Sequence, residues 1–470
     1  MVSSLEEVCS EVLKRVTPSE NERKKILKLT QELIQRLKQE AKKRGIETKI
    51  RLEGSVAKNT WLRDTPEIDI FIRVPTTMPR EEFGNVCLKI AKEATQNSKQ
   101  IERYAEHPYL EAIIGDVYVN IVPCYSVKQG KWLSSTDRTP FHTNYIKLML
   151  DEKKAKEVRI LKRFMKGVNI YGAETKVGGF SGYLCELLVL KYGSFVKVLR
   201  AASNWRERKV IDHEKQYKTK TEVEKAFEQN LILVDPVDKT RNVAAAVRKD
   251  KLDEFVVASR AFLRTPDLKF FYPEEVEALH EIELCNTMSL RGSAFVFITF
   301  KGIFKIPDVL WGQLYKSQKA IRKMIVNYGF SVLRDKVWSN ERNFNIFIFE
   351  LENRFLSNIK RHLGPPLRKK KECESFLRKH GNSNSTVSGP RVEEGRWVID
   401  VKRDYIDVVK LLTERLKGGG RSNGLAELVS KALVESMKVL VNDEIMKSYT
   451  EYPDFAKYLT QYLKGKPRWL

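Results

Sequence analysis

Past residue 17 the apolar positions recur at helical spacing. Ile26, Leu29, Leu33, Ile34 and Leu37 share one face, which predicts an amphipathic first helix. Thr17-Pro18-Ser19-Glu20 reads as its capping box, with Thr17 as N-cap and Glu20 three residues on. A short strand is predicted over 48–52. The period then changes: Ile68, Ile70 and Ile72 alternate with Glu67 and Asp69, giving a strand with one apolar and one acidic face. A helix over 80–95 covers this sheet, and a second strand region opens at 103–109. After a turn at Gly115-Asp116, residues 117–123 alternate again, with Tyr118 and Asn120 outward. Thr139-Pro140-Phe141-His142 closes the first domain.

Farther on, helices are predicted over 157–168 and, after a glycine-rich turn at 178–182, over 183–190; residues 234–244 read as a turn leading into a small-residue helix. From about Phe270 the texture shifts to aromatic, β-branched strands at 294–300 and 344–350, flanking a helix over 311–328. Packing is the expected role of those aromatics, with base stacking the alternative. Residues 361–371 read as a Pro-Gly break running into a basic cluster, 381–390 as a loop and 418–424 as a flexible joint. Residues 425–440 read as an amphipathic helix opening the tail.

With 470 residues the chain exceeds one ordinary core, so two to four domains are expected; 42% hydrophobic residues exclude global disorder. Lys plus Arg at 85 against Asp plus Glu at 61 gives a net charge of +24, which favours a polyanionic partner, most simply nucleic acid. The excess is not confined to one amphipathic helix, as a membrane-surface protein would have it. Six cysteines without a CxxC pair suggest reduced thiols, not a disulfide frame or zinc site. The first ten residues lack the apolar segment of a secretory leader, and no apolar run approaches the roughly 18 residues that span a bilayer. A cytoplasmic protein without a membrane partner is expected.

The acidic strand carries the candidate chemistry. Side chains at i and i+2 lie about 7 Å apart on one face, so Glu67 and Asp69 can share divalent cations. Gly54-Ser55 just before offers backbone N–H groups, a hydroxyl and a helix start, a cradle for phosphate oxygens. Together these are the layout of two-metal nucleotidyl transfer, whose third carboxylate belongs on a neighbouring strand. Asn120 holds that position, and Asp116 lies about 13 Å along an extended strand.

An ordered set of motifs narrows the field: GSVAKNTWL with EIDIF, RYAEHPY, NIVPCY, DRTPFH, EVRILKRF, NIYGAE, GFSGYLCELL, VDPVDKTRNVAA, RHLGPP and EEGRW. Over nearly its whole length the sequence resembles the archaeal, class I CCA-adding enzymes, which are tRNA nucleotidyltransferases. The resemblance implies an α+β multidomain protein. A polymerase-β-like head with a mixed sheet occupies 1–145, a helical neck with the base pocket 146–264, an α+β body 265–375, and an α/β tail contacting tRNA 376–470. It implies template-free addition of C, C and A from CTP and ATP, with two Mg2+ ions, on a tRNA held by its acceptor stem and T arm; a homodimer is compatible with it. Carried over by position, Glu67, Asp69 and Asn120 would be the catalytic metal ligands. Ser55, Lys58, His142, Lys162 and Tyr171 would contact the nucleotide, and Arg241, Tyr104 and Ala105 would line the base pocket. Lys58 stands where the family usually has arginine, which keeps the charge and loses the bidentate fork.

The main departure is Asn120, where the family pattern has aspartate. An amide oxygen ligates weakly and brings no charge, so a rate loss on the order of 10³-fold is expected, while tRNA and nucleotide binding should persist. The alternatives are a catalytically silent protein that binds tRNA acceptor ends, and a related template-free poly(A)-adding polymerase.

Overall fold

Ser4 and Ser19 start the first two helices, α1 (Leu5–Val16) and α2 (Glu20–Lys43), each through a reciprocal capping box. The Ser19 hydroxyl accepts from Glu22 N at 3.3 Å and the Glu22 carboxylate from Ser19 N at 2.7 Å. The N-cap is therefore Ser19, not Thr17. The Thr17 hydroxyl donates to Leu13 O at 2.6 Å and so belongs to the end of α1. Both Thr17-Pro18-Ser19-Glu20 and Ser19-Glu20-Asn21-Glu22 satisfy the same short signature, and local sequence alone does not rank them.

The computed structural model describes residues 4–104 and 106–470. It divides into two units, Met1–Glu274 with Lys466–Leu470, and Glu275–Gly465. In the first unit, β1 (Lys49–Glu53), α3 (Gly54–Ala57), β2 (Glu67–Val74), α4 (Arg80–Ala94), β3 (Lys99–Tyr104), β4 (Pro108–Ile114) and β5 (Val117–Tyr125) build a five-stranded sheet of order β1-β2-β5-β4-β3. Only β2 and β5 run parallel, and their register sets Glu67 beside Tyr118 and Asp69 beside Asn120. Ile68, Ile70, Val119 and Ile121 pack against α2 and α4 through Ile26, Leu33, Phe83 and Ile90. The alternation of β2 thus buries its isoleucines and turns its acids the other way.

A helical region follows: α5 (Thr139–Met149), α6 (Glu152–Gly167), α7 (Gly182–Tyr192) and α8 (Phe195–Ala202). The small elements β6 (Lys209–Ile211), α9 (Lys220–Ala226), β7 (Leu231–Asp235) and β8 (Asp238–Asn242) come next, and then α10 (Lys249–Arg264). Phe164, Leu188, Phe195, Phe255 and Phe262 form its core. The last five residues return to this unit, where Trp469 stacks on Phe270 at 5.4 Å. The span 234–244, expected to run into a helix, is instead a β-hairpin and turn. Asp235 Oδ1 accepts from Val237 N, Asp238 Oδ1 from Thr240 N, and Asn242 Oδ1 from both Leu233 N and Ala244 N. Side chains of this kind offer the backbone turn bonds that compete with a helix.

In the second unit, α11 (Glu281–Leu290), β9 (Ala294–Lys301), α12 (Pro307–Asn327), β10 (Val332–Ser339) and β11 (Phe344–Leu351) precede β12 (Ile359–Pro366), α13 (Lys370–His380), β13 (Thr386–Glu393) and β14 (Arg396–Lys402), whose three strands form a small sheet of order β12-β14-β13. The chain continues through α14 (Val408–Leu416), α15 (Glu427–Ser436), β15 (Lys438–Val441), α16 (Met446–Glu451) and α17 (Pro453–Lys464). The main sheet, β10-β11-β9-β15, is covered on one face by α12, α14 and α15 and on the other by α11, α16 and α17. Its aromatic strands are buried on both faces, so packing is their role. Three segments differ from expectation. Gly364, Pro365 and Pro366 lie inside β12, an edge strand that tolerates proline. The 381–390 loop enters β13 at Thr386. The 425–440 helix ends at Ser436 and continues as β15, paired with β9.

Candidate active site

Asp69 and Asn120 lie side by side on parallel strands, and Glu67 sits two residues along the same face. Asn120 Nδ2 donates to Glu67 Oε1 at 2.6 Å and to Asp69 Oδ1 at 3.1 Å, so the amide braces the two carboxylates. Burial, then the neighbouring Glu67 charge, push the Asp69 carboxyl up to about 7, against the Asn120 bond and the Lys58 and Lys162 charges. Space for Asp69 comes from Gly54. Its φ is +67°, and a Cβ there would fall 1.9 Å from Asp69 Oδ2.

Around the acids opens a cleft of about 330 Å³, lined by Ser55, Thr60, Glu67, Asp116, Lys162 and Tyr171 among others. Ser55 lies on the single-turn helix α3 that follows the strand-to-turn step at Gly54. Arg159, fully buried on α6, pins the segment after it through Asn59 O at 2.7 Å and Trp61 O at 3.2 Å. Tyr171 and Lys162 approach the first residue of α7 closely: a Cβ on Gly182 would lie 3.0 Å from the Tyr171 hydroxyl and 3.4 Å from Lys162 Nζ. Lys166, one turn beyond Lys162, stands over the Tyr171 ring at 5.6 Å.

The two lysines share one buried counter-ion. Lys58 Nζ lies 2.6 Å from Glu186 Oε2 and Lys162 Nζ 3.2 Å from Glu186 Oε1, and Thr60 Oγ1 donates to Oε1 at 2.6 Å. Burial acts to raise the Glu186 carboxyl, yet Lys58 and Lys162 outweigh it and hold it below its ordinary value. Lys162 is itself pulled down by burial, against the Glu186 charge. Two ammonium groups on one carboxylate leave this cluster with a surplus positive charge, and its Lys162, with Lys166, lines the cleft, where an anionic ligand could use it.

Another buried carboxylate, Asp235, gathers a second group. Its Oδ2 lies 2.8 Å from His142 Nε2 and 2.7 Å from Arg241 Nη1, and its Oδ1 accepts from the Tyr183 hydroxyl at 3.2 Å. His142 stacks on the Tyr183 ring at 4.1 Å, and Lys58 Nζ stands 5.7 Å from that ring. Burial pulls the His142 imidazole below its ordinary range despite Asp235. Asp235 stays ionised, since the His142 and Arg241 contacts outweigh its burial.

Three family models match successive stretches of the chain. Residues 18–146 match the nucleotidyltransferase domain family, 156–272 the second domain of tRNA nucleotidyltransferase, and 291–442 the C-terminal domain of the CCA-adding enzyme. The CCA-adding enzyme of Methanosarcina barkeri is 35% identical over 461 residues, covering 97% of this chain and 98% of its own. The chain belongs to the CCA-adding enzyme family. Related CCA-adding enzymes from Methanothermobacter thermautotrophicus and Archaeoglobus fulgidus are 38% and 37% identical, each over 84% of this chain and over 87% and 85% of their own. The expected fold is thereby shown: a polymerase-β-like nucleotidyltransferase head with further helical and α/β domains.

For a CCA-adding enzyme the paired carboxylates of Glu67 and Asp69 suit a hard divalent cation, toward which Asn120 would have to turn its oxygen in place of the NH2 it now presents, and nucleotidyltransferases generally use such a cation. Among the described residues no group of three acids, histidines or cysteines stands close enough to hold a metal, because the third member here is an amide. No helix among the described residues is long and apolar enough to cross a membrane.

Of the residues singled out from sequence, the structure brings Ser55, Lys58, Glu67, Asp69, Asn120, Lys162 and Tyr171 into one neighbourhood. His142 and Arg241 meet at Asp235. Tyr104 is 51% exposed at the end of β3 and does not line the cleft, and Ala105 lies outside the described residues. Sequence reasoning passed over Glu186, Asp235, Tyr183 and Thr60. Glu186 had left one signal, a lone acid within the apolar run of α7.

Proposed function

We propose that the chain adds C, C and A to the 3′ end of tRNA by template-independent nucleotidyl transfer from CTP and ATP. The observation that carries this reading is the register of β2 and β5, which sets Asp69 beside Asn120 and Glu67 on the same face, at the cleft holding Ser55, Lys162 and Tyr171. Ser55, Lys58, Lys162 and Tyr171 bind and orient the triphosphate. Arg241 and His142 serve the base and ribose side, with Tyr104 and Ala105 assigned to the base pocket. Two Mg2+ ions on Glu67, Asp69 and the Asn120 oxygen would supply charge neutralisation and a more acidic 3′-hydroxyl. Residues 1–145 act as head, 146–264 as neck, 265–375 as body and 376–470 as tail, on a tRNA gripped at the acceptor stem and T arm in the cytoplasm. A homodimer is compatible with that grip.

Asn120 supports a second reading, a protein that binds acceptor ends without transferring nucleotides. Its amide donates to both carboxylates, the direction opposite to metal ligation. One assay separates the two: tRNA ending at the discriminator base, labelled CTP and ATP, with the chain as given and with Asn120→Asp. Incorporation strongly raised by aspartate is the expected result. Retained tRNA binding with both forms inert would favour the binding protein, and long A tails independent of tRNA would favour a poly(A) polymerase. Because the grip is phosphate-led, log affinity for tRNA should fall steeply with log salt.

A further inference from the structure

Asp235 is buried and has no part in the reading above, yet it contacts two residues assigned to the nucleotide. We propose that Asp235 is a specificity-determining positioning residue: it fixes the guanidinium of Arg241 so that the site accepts cytosine and adenine and rejects uracil and guanine. The proposal rests on the reading of this site as one that uses CTP and ATP.

Its warrant is geometric. Asp235 ends β7, and its carboxylate is held on one side by Val237 N at 3.1 Å and the Tyr183 hydroxyl at 3.2 Å, both on Oδ1. Gln216 Nε2 fixes its carbonyl oxygen at 2.8 Å. The rigid Oδ2 then takes Arg241 Nη1 and His142 Nε2 together. Arg241 is 38% exposed, and no other bond from it to the protein is seen among the described residues, so its remaining donors are available to a ligand. A guanidinium only donates. Cytosine presents the acceptors O2 and N3 on its pairing edge, and adenine presents N1. Uracil and guanine present an N–H at the equivalent ring position, which a fixed guanidinium opposes. A guanidinium free to swing would lose that discrimination.

Asp235→Asn removes the Arg241 anchor together with the His142 contact on the same oxygen, so the readout is the ratio of the two nucleotides and not the affinity for either one. Val237 N–H and the Tyr183 hydroxyl both need an acceptor, so the amide oxygen faces them and its NH2 faces Arg241, which loses its anchor while the turn survives. The measurement is calorimetric titration of the full chain, bound to tRNA ending at the discriminator base, with CTP and separately with UTP. The parent should prefer CTP, and Asp235→Asn should lower that preference about tenfold with tRNA affinity unchanged. Asp235→Glu, which keeps the buried charge but shifts the carboxylate by one methylene, is the second variant should the first fail to fold, and should lose less. A parent that prefers CTP and variants that keep its ratio overturn the proposal alone, as does equal weakening of both nucleotides. A parent without preference overturns the underlying reading of the site as well.

Discussion

The two large sheets of this protein are built from similarly apolar strands and are used in opposite ways. In the four-stranded sheet of the second unit, helices cover both faces, and β11 is buried at every position. In the five-stranded sheet of the first unit, α2 and α4 cover one face, and the other presents Glu67, Asp69 and Asn120. A partly open face can hold charges such as Glu67 that a sandwiched one would have to neutralise, and where that face closes over Asp69 burial already pushes the carboxyl toward its neutral form. The second sheet therefore stores stability, and the first keeps a polar face free for the proposed chemistry.

The comparison is most sharply broken at Asn120. Asn120→Asp should raise CTP incorporation on the order of 10³-fold or more, read by labelled nucleotide transfer, with little change in tRNA affinity. Phe347→Ala acts on the covered sheet. Phe347 is fully buried and stacks on Phe300 at 5.3 Å, so its loss should cost about 3–5 kcal/mol in urea denaturation, without altering CTP affinity of the folded fraction. Glu186→Gln strikes both properties. It leaves two buried ammonium groups without their shared anion, for a loss of about 3 kcal/mol in stability and a CTP KM raised roughly tenfold.

The smallest effect is a pH dependence. Unfolded, Asp69 loses its proton near 3.8, whereas in the fold it keeps it to about 7. Between those values the native state binds the extra proton, so metal-free stability should fall as pH rises through this window and level off above it. Thermal melts from pH 5 to 8 should show that slope in the parent and a flatter profile in Asp69→Asn.

Much of the open sheet was legible in the sequence, because period-2 alternation at 67–72 is a direct consequence of strand geometry and needs no distant partner. The two central strands of the covered sheet, β9 and β11, were legible, since eight-residue aromatic runs leave few alternatives, while its outer strands β10 and β15 were not. What escaped depended on long-range partners. The 438–441 strand forms because β9 offers it an edge, and the polar 359–366 segment is a strand only beside β14. The hairpin at 231–242 hides behind alanines that favour a helix and is decided by Asp235, Asp238 and Asn242 bonding to the backbone. The roles of Glu186 and Asp235 were invisible for the same reason: the partners of Glu186 lie 128 and 24 residues away in sequence, and His142 lies 93 from Asp235.

That 128-residue separation between Lys58 and Glu186 also bears on where the chain can be cut. A fragment ending at residue 146, where the nucleotidyltransferase match ends, would carry Lys58 without Glu186 and so leave its buried ammonium group without an anion.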